Sequence, residues 1–240
     1  MKIVFATGNP GKLREASEVL GPGFELVSPA SLGITEEIPE TGNTLQENSL
    51  QKARYLFDRT GLPCFADDTG LEVDALGGAP GIHTARYAGP NHDHNANMEI
   101  LLSELEMLTL SEAKSASADR PAPGLCASKV GKGFMAAGGS GDMPPYSRRA
   151  RFHTVVTLIL ADGQPHFFEG FCEGAIATRK AGCGGFGYDP VFLPDAYPGR
   201  TLAEVSEEEK NAVSHRGSAL RAMADWLKTR FAGHRSGNLI

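Results

Sequence analysis

The stretch Phe65-Ala66-Asp67-Asp68-Thr69-Gly70-Leu71 carries the residues most suited to chemistry. It reads as a short buried strand that ends in two adjacent carboxylates and then turns at a glycine. Neighbouring ionised aspartates repel each other, and burial raises the cost. A bound cation, or a proton kept on one carboxyl, resolves that conflict. The same residues also suit an Asp-Thr-Gly turn whose side chains bond local backbone.

A second stretch, Thr7-Gly8-Asn9-Pro10-Gly11-Lys12, follows a compact apolar strand at 2–6 and opens a helix marked by Leu13, Ala16, Val19 and Leu20. Asn9 suits the N-cap and Pro10 the first helical position. Gly21-Pro22-Gly23 stops the helix. A strand, a tight turn and a helix N-terminus present backbone N–H groups to an anion. Lys12 sits at the wrong end of the helix dipole, which makes better sense with an anion between it and the helix end. The turn is not a Walker A loop, because Ala6 and Leu13 stand where that motif needs Gly and Ser or Thr, so a P-loop kinase is excluded.

The elements that position these residues alternate. A second strand is expected at 24–27 and a helix from about Thr44 to Thr60, with Thr44 and Glu47 as a capping box. Asn48 and Lys52 share one line on that helix, bordering its apolar side; Lys52 reads either as a snorkelling core-edge lysine or as one aimed into a cleft. Leu71 to Asp74 extends or re-enters the sheet, and 94–108 reads as a helix. His92 and His94 cap and solvate the loop before it, with no third ligand to suggest zinc. Residues 110–148, rich in Ala, Ser, Gly and Pro, read as a flexible surface insertion. Phe152–Leu160 and Pro165–Cys172 form a hairpin around Asp162-Gly163, with a bulge or bend at Glu173-Gly174. In Gly182–Pro190 the glycines allow close backbone approach to a ligand, and Phe186 and Tyr188 offer a flat apolar face. A strand at 191–193 and a final helix opened by a Ser206–Glu209 capping box follow, with frayed residues at 232–240.

The bulk numbers set bounds. A net charge of −6 gives no global basic field for nucleic acid or acidic lipid. The apolar runs are strand-sized, so no membrane span or signal peptide is expected. The four cysteines form no Cys-x-x-Cys pair, which argues for a reducing, cytoplasmic setting without a disulfide framework.

Taken in series, six motifs resemble the inosine triphosphate pyrophosphatase family, also called the Ham1/RdgB-like dITP/XTP pyrophosphatases. They are Ala6–Lys12; Glu40–Thr44 with Glu47-Asn48 and Lys52–Arg54; Ala66–Leu71; Ala79–Tyr87; Gly185–Pro190; and Ser214–Gly217. The resemblance spans nearly the whole chain outside 110–148. It implies a single α/β domain over 1–240, an elongated mixed β-sheet flanked by helices, with two lobes and a central cleft, usually as a homodimer. It implies hydrolysis of ITP, dITP and XTP to the monophosphate and pyrophosphate with Mg²⁺. The family's catalytic aspartate falls on Asp68 and its metal ligands on Asp68 and Glu40. The triphosphate turn falls on Thr7, Gly8, Asn9, Pro10, Gly11 and Lys12, with Lys52 nearby and Thr69 in contact with substrate. Base and nucleotide contacts fall on Phe186, Gly187, Tyr188, Asp189, Lys210, His215 and Arg216. Arg216, His215 and N–H groups of the Gly-rich turn are the candidate donors to a 6-oxo purine. Two other readings are a Maf-type pyrophosphatase for other modified nucleotides and a non-catalytic nucleotide-binding regulator.

Overall fold

The computed structural model of the protein describes residues 1–118 and 148–232. The sheet is built from β1 (Lys2–Phe5), β2 (Glu25–Val27), β3 (Cys64–Val73), β4 (Pro80–Gly81), β5 (Arg149–Ile159), β6 (Pro165–Ile176) and β7 (Phe192–Pro194). The helices are α1 (Pro10–Leu20), α2 (Leu45–Thr60), α3 (His94–Ala118), α4 (Glu207–Ala212) and α5 (His215–Ala232). The strand order is β2-β1-β3-β5-β6-β7, parallel across β2-β1-β3 and antiparallel beyond.

The organising feature is β3. One edge pairs with β5 along its whole length, from Cys64↔Ile159 to Val73↔Ala150. The other edge pairs with β1 only at Cys64 and Phe65, and with β4 only at Leu71 and Glu72. Asp67 to Gly70 therefore lie in the gap between two partners on a split edge. Apolar clusters lie to either side of that gap. Toward β1, Phe5 and Phe65 pack with Leu220 and Met223 of α5 on one face, and Val4 and Ala66 pack with Leu56 of α2 on the other. Toward β4, Leu71 and Val73 pack with Leu101, Leu105, Phe152 and Phe192.

Several expectations change. β3 does not end at the aspartates but runs on for ten residues. Gly70 marks a close approach rather than a turn, since a Cβ there would lie 2.7 Å from the Gly81 carbonyl. β6 likewise passes Glu173-Gly174 in register with Arg151 and Ala150, without a bulge. A Cβ on Gly174 would meet the Leu193 carbonyl at 2.3 Å, so this glycine admits β7. α3 continues through Ala118, because Ser111 to Ala118 contain neither Gly nor Pro and suit a helix. The start of the expected insertion is thus helical, and its residues 119–147 lie outside the described part, as do 233–240. Asp93, rather than either flanking histidine, caps α3, its Oδ1 accepting the Asn95 and Ala96 N–H groups.

The final helix is two helices. The Ser206–Glu209 capping box opens α4, which ends at Ala212. Ser214 Oγ then accepts the Gly217 N–H at 3.0 Å and starts α5. Helical spacing between Lys210 and His215 or Arg216 consequently carries no information.

Candidate active site

Period-2 alternation sends the two aspartates to opposite faces of β3. Asp67 faces α1 and α5: Lys12 Nζ donates to its Oδ2 at 2.9 Å, and Arg216 Nε donates to the same oxygen at 2.8 Å. Burial opposes its charge, but Lys12, Arg216 and Lys52 outweigh burial and hold the carboxyl well below the usual carboxylate range. The anion expected beside Lys12 is therefore, in this structure, Asp67. Glu15 completes the cluster, accepting from Arg216 at 3.4 Å and from Ser214 Oγ at 3.2 Å.

Asp68 faces α2. Lys52 Nζ donates to Asp68 Oδ1 at 3.0 Å and to Glu40 Oε1 at 2.6 Å, so two carboxylates converge on one ammonium. Asn48 Nδ2 donates to Asp68 Oδ2 at 3.2 Å. Burial, helped by Glu40, raises the Asp68 carboxyl above its ordinary value despite Lys52. Burial also works against the Lys52 charge, yet Asp68, Asp67 and Glu40 together keep that ammonium above its usual value. Lys52 is 8% exposed and lines the opening with Glu40.

α2 sets this geometry. Ser49, fully buried, has its hydroxyl within hydrogen-bond reach of the Ala66 carbonyl at 3.1 Å and of Thr157 Oγ1 at 2.7 Å, seating the helix on β3 and β5. Side chains of its first turns hold three consecutive N–H groups of the loop bearing Glu40: Gln51 takes Thr41, Asn48 takes Gly42 and Glu47 takes Asn43. The expected capping box is thus half made. Thr44 Oγ1 accepts the Glu47 N–H, while the Glu47 carboxylate reaches Asn43 instead of Thr44.

The turn after β1 is closed on itself. Asn9 Oδ1 accepts the Gly11 and Lys12 N–H groups at 2.8 and 3.2 Å, and Thr7 Oγ1 accepts that of Asn9. Thr7 and Gly8 line a cleft of about 800 Å³ together with Glu40, Lys52, Arg86 and His92. Thr69 shares a hydroxyl hydrogen bond of 2.7 Å with Thr154 on β5.

The Gly-rich loop divides its aromatics. Phe186 is 68% exposed, with the Lys210 ammonium 4.6 Å from its ring centroid. Tyr188 offers no open face: it is 3% exposed, and its hydroxyl donates to the Thr84 carbonyl. Asp189 is buried and accepts from Lys210 Nζ and from the Phe186 N–H, holding the loop and the lysine together. Gly185 leaves Asp189 its space, since a Cβ would fall 2.2 Å from Asp189 Oδ2. His215 stacks on Phe152, and burial, with the Arg216 cation adding to it, pushes its imidazole down to about 3, so the ring is neutral. Lys210 and Lys12 push the ring the same way, and Asp67 opposes them.

A sequence profile of the Ham1 family matches residues 3–138 and 135–226. This chain belongs to the Ham1 family. A dITP/XTP pyrophosphatase of Porphyromonas gingivalis is 43% identical over 226 residues, which cover 94% of this chain and 97% of that protein. One from Yersinia pseudotuberculosis is 42% identical over 230 residues, covering 95% and 98%. A Ham1 protein structure from Coxiella burnetii matches with a TM-score of 0.75 at 34% identity, over 95% of this chain and 99% of that one. The Staphylococcus aureus Ham1 protein matches with 0.74 at 31%, over 96% and 100%. These Ham1 structures thus share the mixed α/β fold described above.

Three groups to which the sequence reading assigned no role help to position the site. Asn48 bridges the Glu40 loop to Asp68, and its place four residues before Lys52 is the signal for it. Glu15 braces Arg216 across α1 and α5 with no signal from spacing. Gly170 lets α5 approach β6, since a Cβ there would lie 2.1 Å from the His215 carbonyl.

Proposed function

We propose that the protein hydrolyses the non-canonical purine nucleoside triphosphates ITP, dITP and XTP to the monophosphate and pyrophosphate, keeping them out of DNA and RNA. The observation that carries this reading is the convergence of Asp68 and Glu40 on Lys52 beside the Thr7-Gly8 turn, in a chain about 40% identical to proteins named dITP/XTP pyrophosphatases.

The donor set suits Mg²⁺. Asp68 and Glu40 are hard oxygen donors already directed at one positive charge, and Mg²⁺ is held through a few carboxylates plus substrate phosphates. Bound there, the ion supplies charge neutralisation on the phosphates. Asp68 orients and deprotonates the water that attacks the α-phosphorus. Lys52 and Lys12 stabilise charge that grows on the phosphate oxygens. Asp67 holds Lys12 and Arg216 in place rather than acting as the base.

At the other end, the open face of Phe186 stacks on the base and Lys210 flanks it. Of the donors considered for a 6-oxo group, the Phe186 N–H and the Arg216 Nε already have acceptors. The neutral His215 ring keeps one N–H to offer. Adenine would set its own amino donor against such a group, and that mismatch discriminates strongly. A homodimer is supported by Phe167 and Phe171, 36% and 43% exposed on one face of β6. Among the described residues no helix is long and apolar enough to cross a membrane.

The test is a panel of ITP, dITP, XTP, ATP and GTP with Mg²⁺, with every product identified. Monophosphate and pyrophosphate from the 6-oxo, 2-unsubstituted or xanthine nucleotides, and little turnover of ATP, are expected. Diphosphate and phosphate as products, or equal rates on ATP and ITP, contradict the reading.

A further inference from the structure

Arg86 lines the cleft with Thr7, Gly8, Glu40 and Lys52 and is half-buried. Among the described residues no acceptor engages its guanidinium. The other cations of the site differ in this respect. Lys12 rests on Asp67, Lys52 on Asp68 and Glu40, Lys210 on Asp189, and Arg216 on Asp67 and Glu15.

The backbone that carries Arg86 is held at the residues around it. Thr84 Oγ1 accepts the Leu71 N–H at 2.7 Å and donates to the Gly81 carbonyl at 2.6 Å. The Thr84 carbonyl accepts the Tyr188 hydroxyl, and the Ala85 carbonyl accepts Asn97 Nδ2 at 3.1 Å. The Tyr87 hydroxyl donates to Glu104, and the Ala88 N–H donates to Asn97 Oδ1 at 2.6 Å. Asn97 itself is buried. A fixed backbone carrying a half-buried arginine whose guanidinium has no internal carboxylate is a receptor prepared for an outside anion, because little ordering remains to be done on binding. The planar fork of arginine matches phosphate oxygens.

We propose that Arg86 is a further substrate-binding residue that donates to the phosphate chain of the nucleotide. This rests on the pyrophosphatase reading above. The phosphate chain, not the base, is its target, since the cleft it lines includes the turn, Glu40 and Lys52 but not Phe186.

The experiment compares wild type with Arg86→Ala, Arg86→Gln and Arg86→Lys. It measures KM for ITP and, as a probe without a base, competitive inhibition by Mg²⁺-tripolyphosphate. Loss of a charge-assisted contact weakens both by about ten- to a hundredfold in the Ala and Gln variants, with partial recovery in Lys. Melting temperatures within a degree or so of wild type show that folding is not the cause, and Gln carries the test if Ala unfolds. Changes within twofold in both quantities overturn the proposal. A raised KM with unchanged tripolyphosphate inhibition places Arg86 on the nucleoside and also overturns it. If wild type hydrolyses no 6-oxo nucleotide, the pyrophosphatase reading fails separately. Calorimetric binding of tripolyphosphate then decides on Arg86: tighter binding by wild type than by Arg86→Ala supports it, and equal binding overturns it.

Discussion

Adjacent carboxylates that would repel in a turn are separated here by the pleat of a strand. Asp67 becomes a deeply buried anion between two cations, and Asp68 a carboxylate of raised proton affinity beside Glu40. The two should fail differently. Asp68→Asn is expected to lower kcat by about 10² to 10⁴-fold with little change in melting temperature, because it removes the proposed base and leaves the packing. Asp67→Asn is expected to raise KM and to cost about 1–3 kcal/mol in urea unfolding, since Lys12 and Arg216 lose their shared acceptor. The pH dependence has its own marker in His215. Its imidazole is neutral in the folded protein down to about 3, while in the unfolded chain it takes up a proton near 6.5. Below pH 6.5 the unfolded state binds the extra proton, so the stability contributed by this residue is complete above 6.5 and falls on acidification toward 3, by at most about 1.4 kcal/mol per pH unit. Unfolding at pH 7 and pH 5 should show that slope, and His215→Gln should flatten it. At this scale the sequence displays residue types and their order. It does not display that Lys12 finds its anion in Asp67, because that pairing joins residues 55 apart through the sheet.

The helices α2 and α5 are each docked by a small or polar group. Ser49 seats α2, Asn48 ties the Glu40 loop to Asp68, and Gly170 admits the start of α5. Gly170→Ala places a methyl against the backbone of α5, where relief requires the whole helix to move. About 1–3 kcal/mol of destabilisation is expected, as for other overpacked sites. The turnover of that variant should fall further than its folded fraction, because His215 and Arg216 ride on the displaced helix; unfolding and kinetics on one preparation check both. Element types were legible from apolar period, caps and turn residues, as in α1, α2 and the β5–β6 hairpin. Element ends were not, where a glycine serves close packing. Gly70 and Gly174 look like a turn and a bulge in sequence, yet each sits in a continuous strand against a neighbouring backbone carbonyl. The break between α4 and α5 was equally hidden, since Ser214 is a cap only once Gly217 bonds to it.

At the scale of the molecule, the site exists because β3 has a full partner on one edge and two short partners on the other. β1 and β4 leave Asp67 to Gly70 between them, with an apolar cluster packed around each partner. The family resemblance made this architecture legible; local pattern alone could not, because the gap is made by strands 2–5 and 80–81 that are remote in sequence. The uncovered face of β6 belongs to the same scale. In the proposed dimer Phe171→Glu should give a monomer in light scattering, while an unchanged mass would assign those phenylalanines elsewhere. The central claim is that water, activated at Asp68, attacks the α-phosphorus. Hydrolysis of ITP in ¹⁸O-water with mass analysis of both products tests it most directly: the label is expected in the monophosphate, and label in the pyrophosphate would contradict the account.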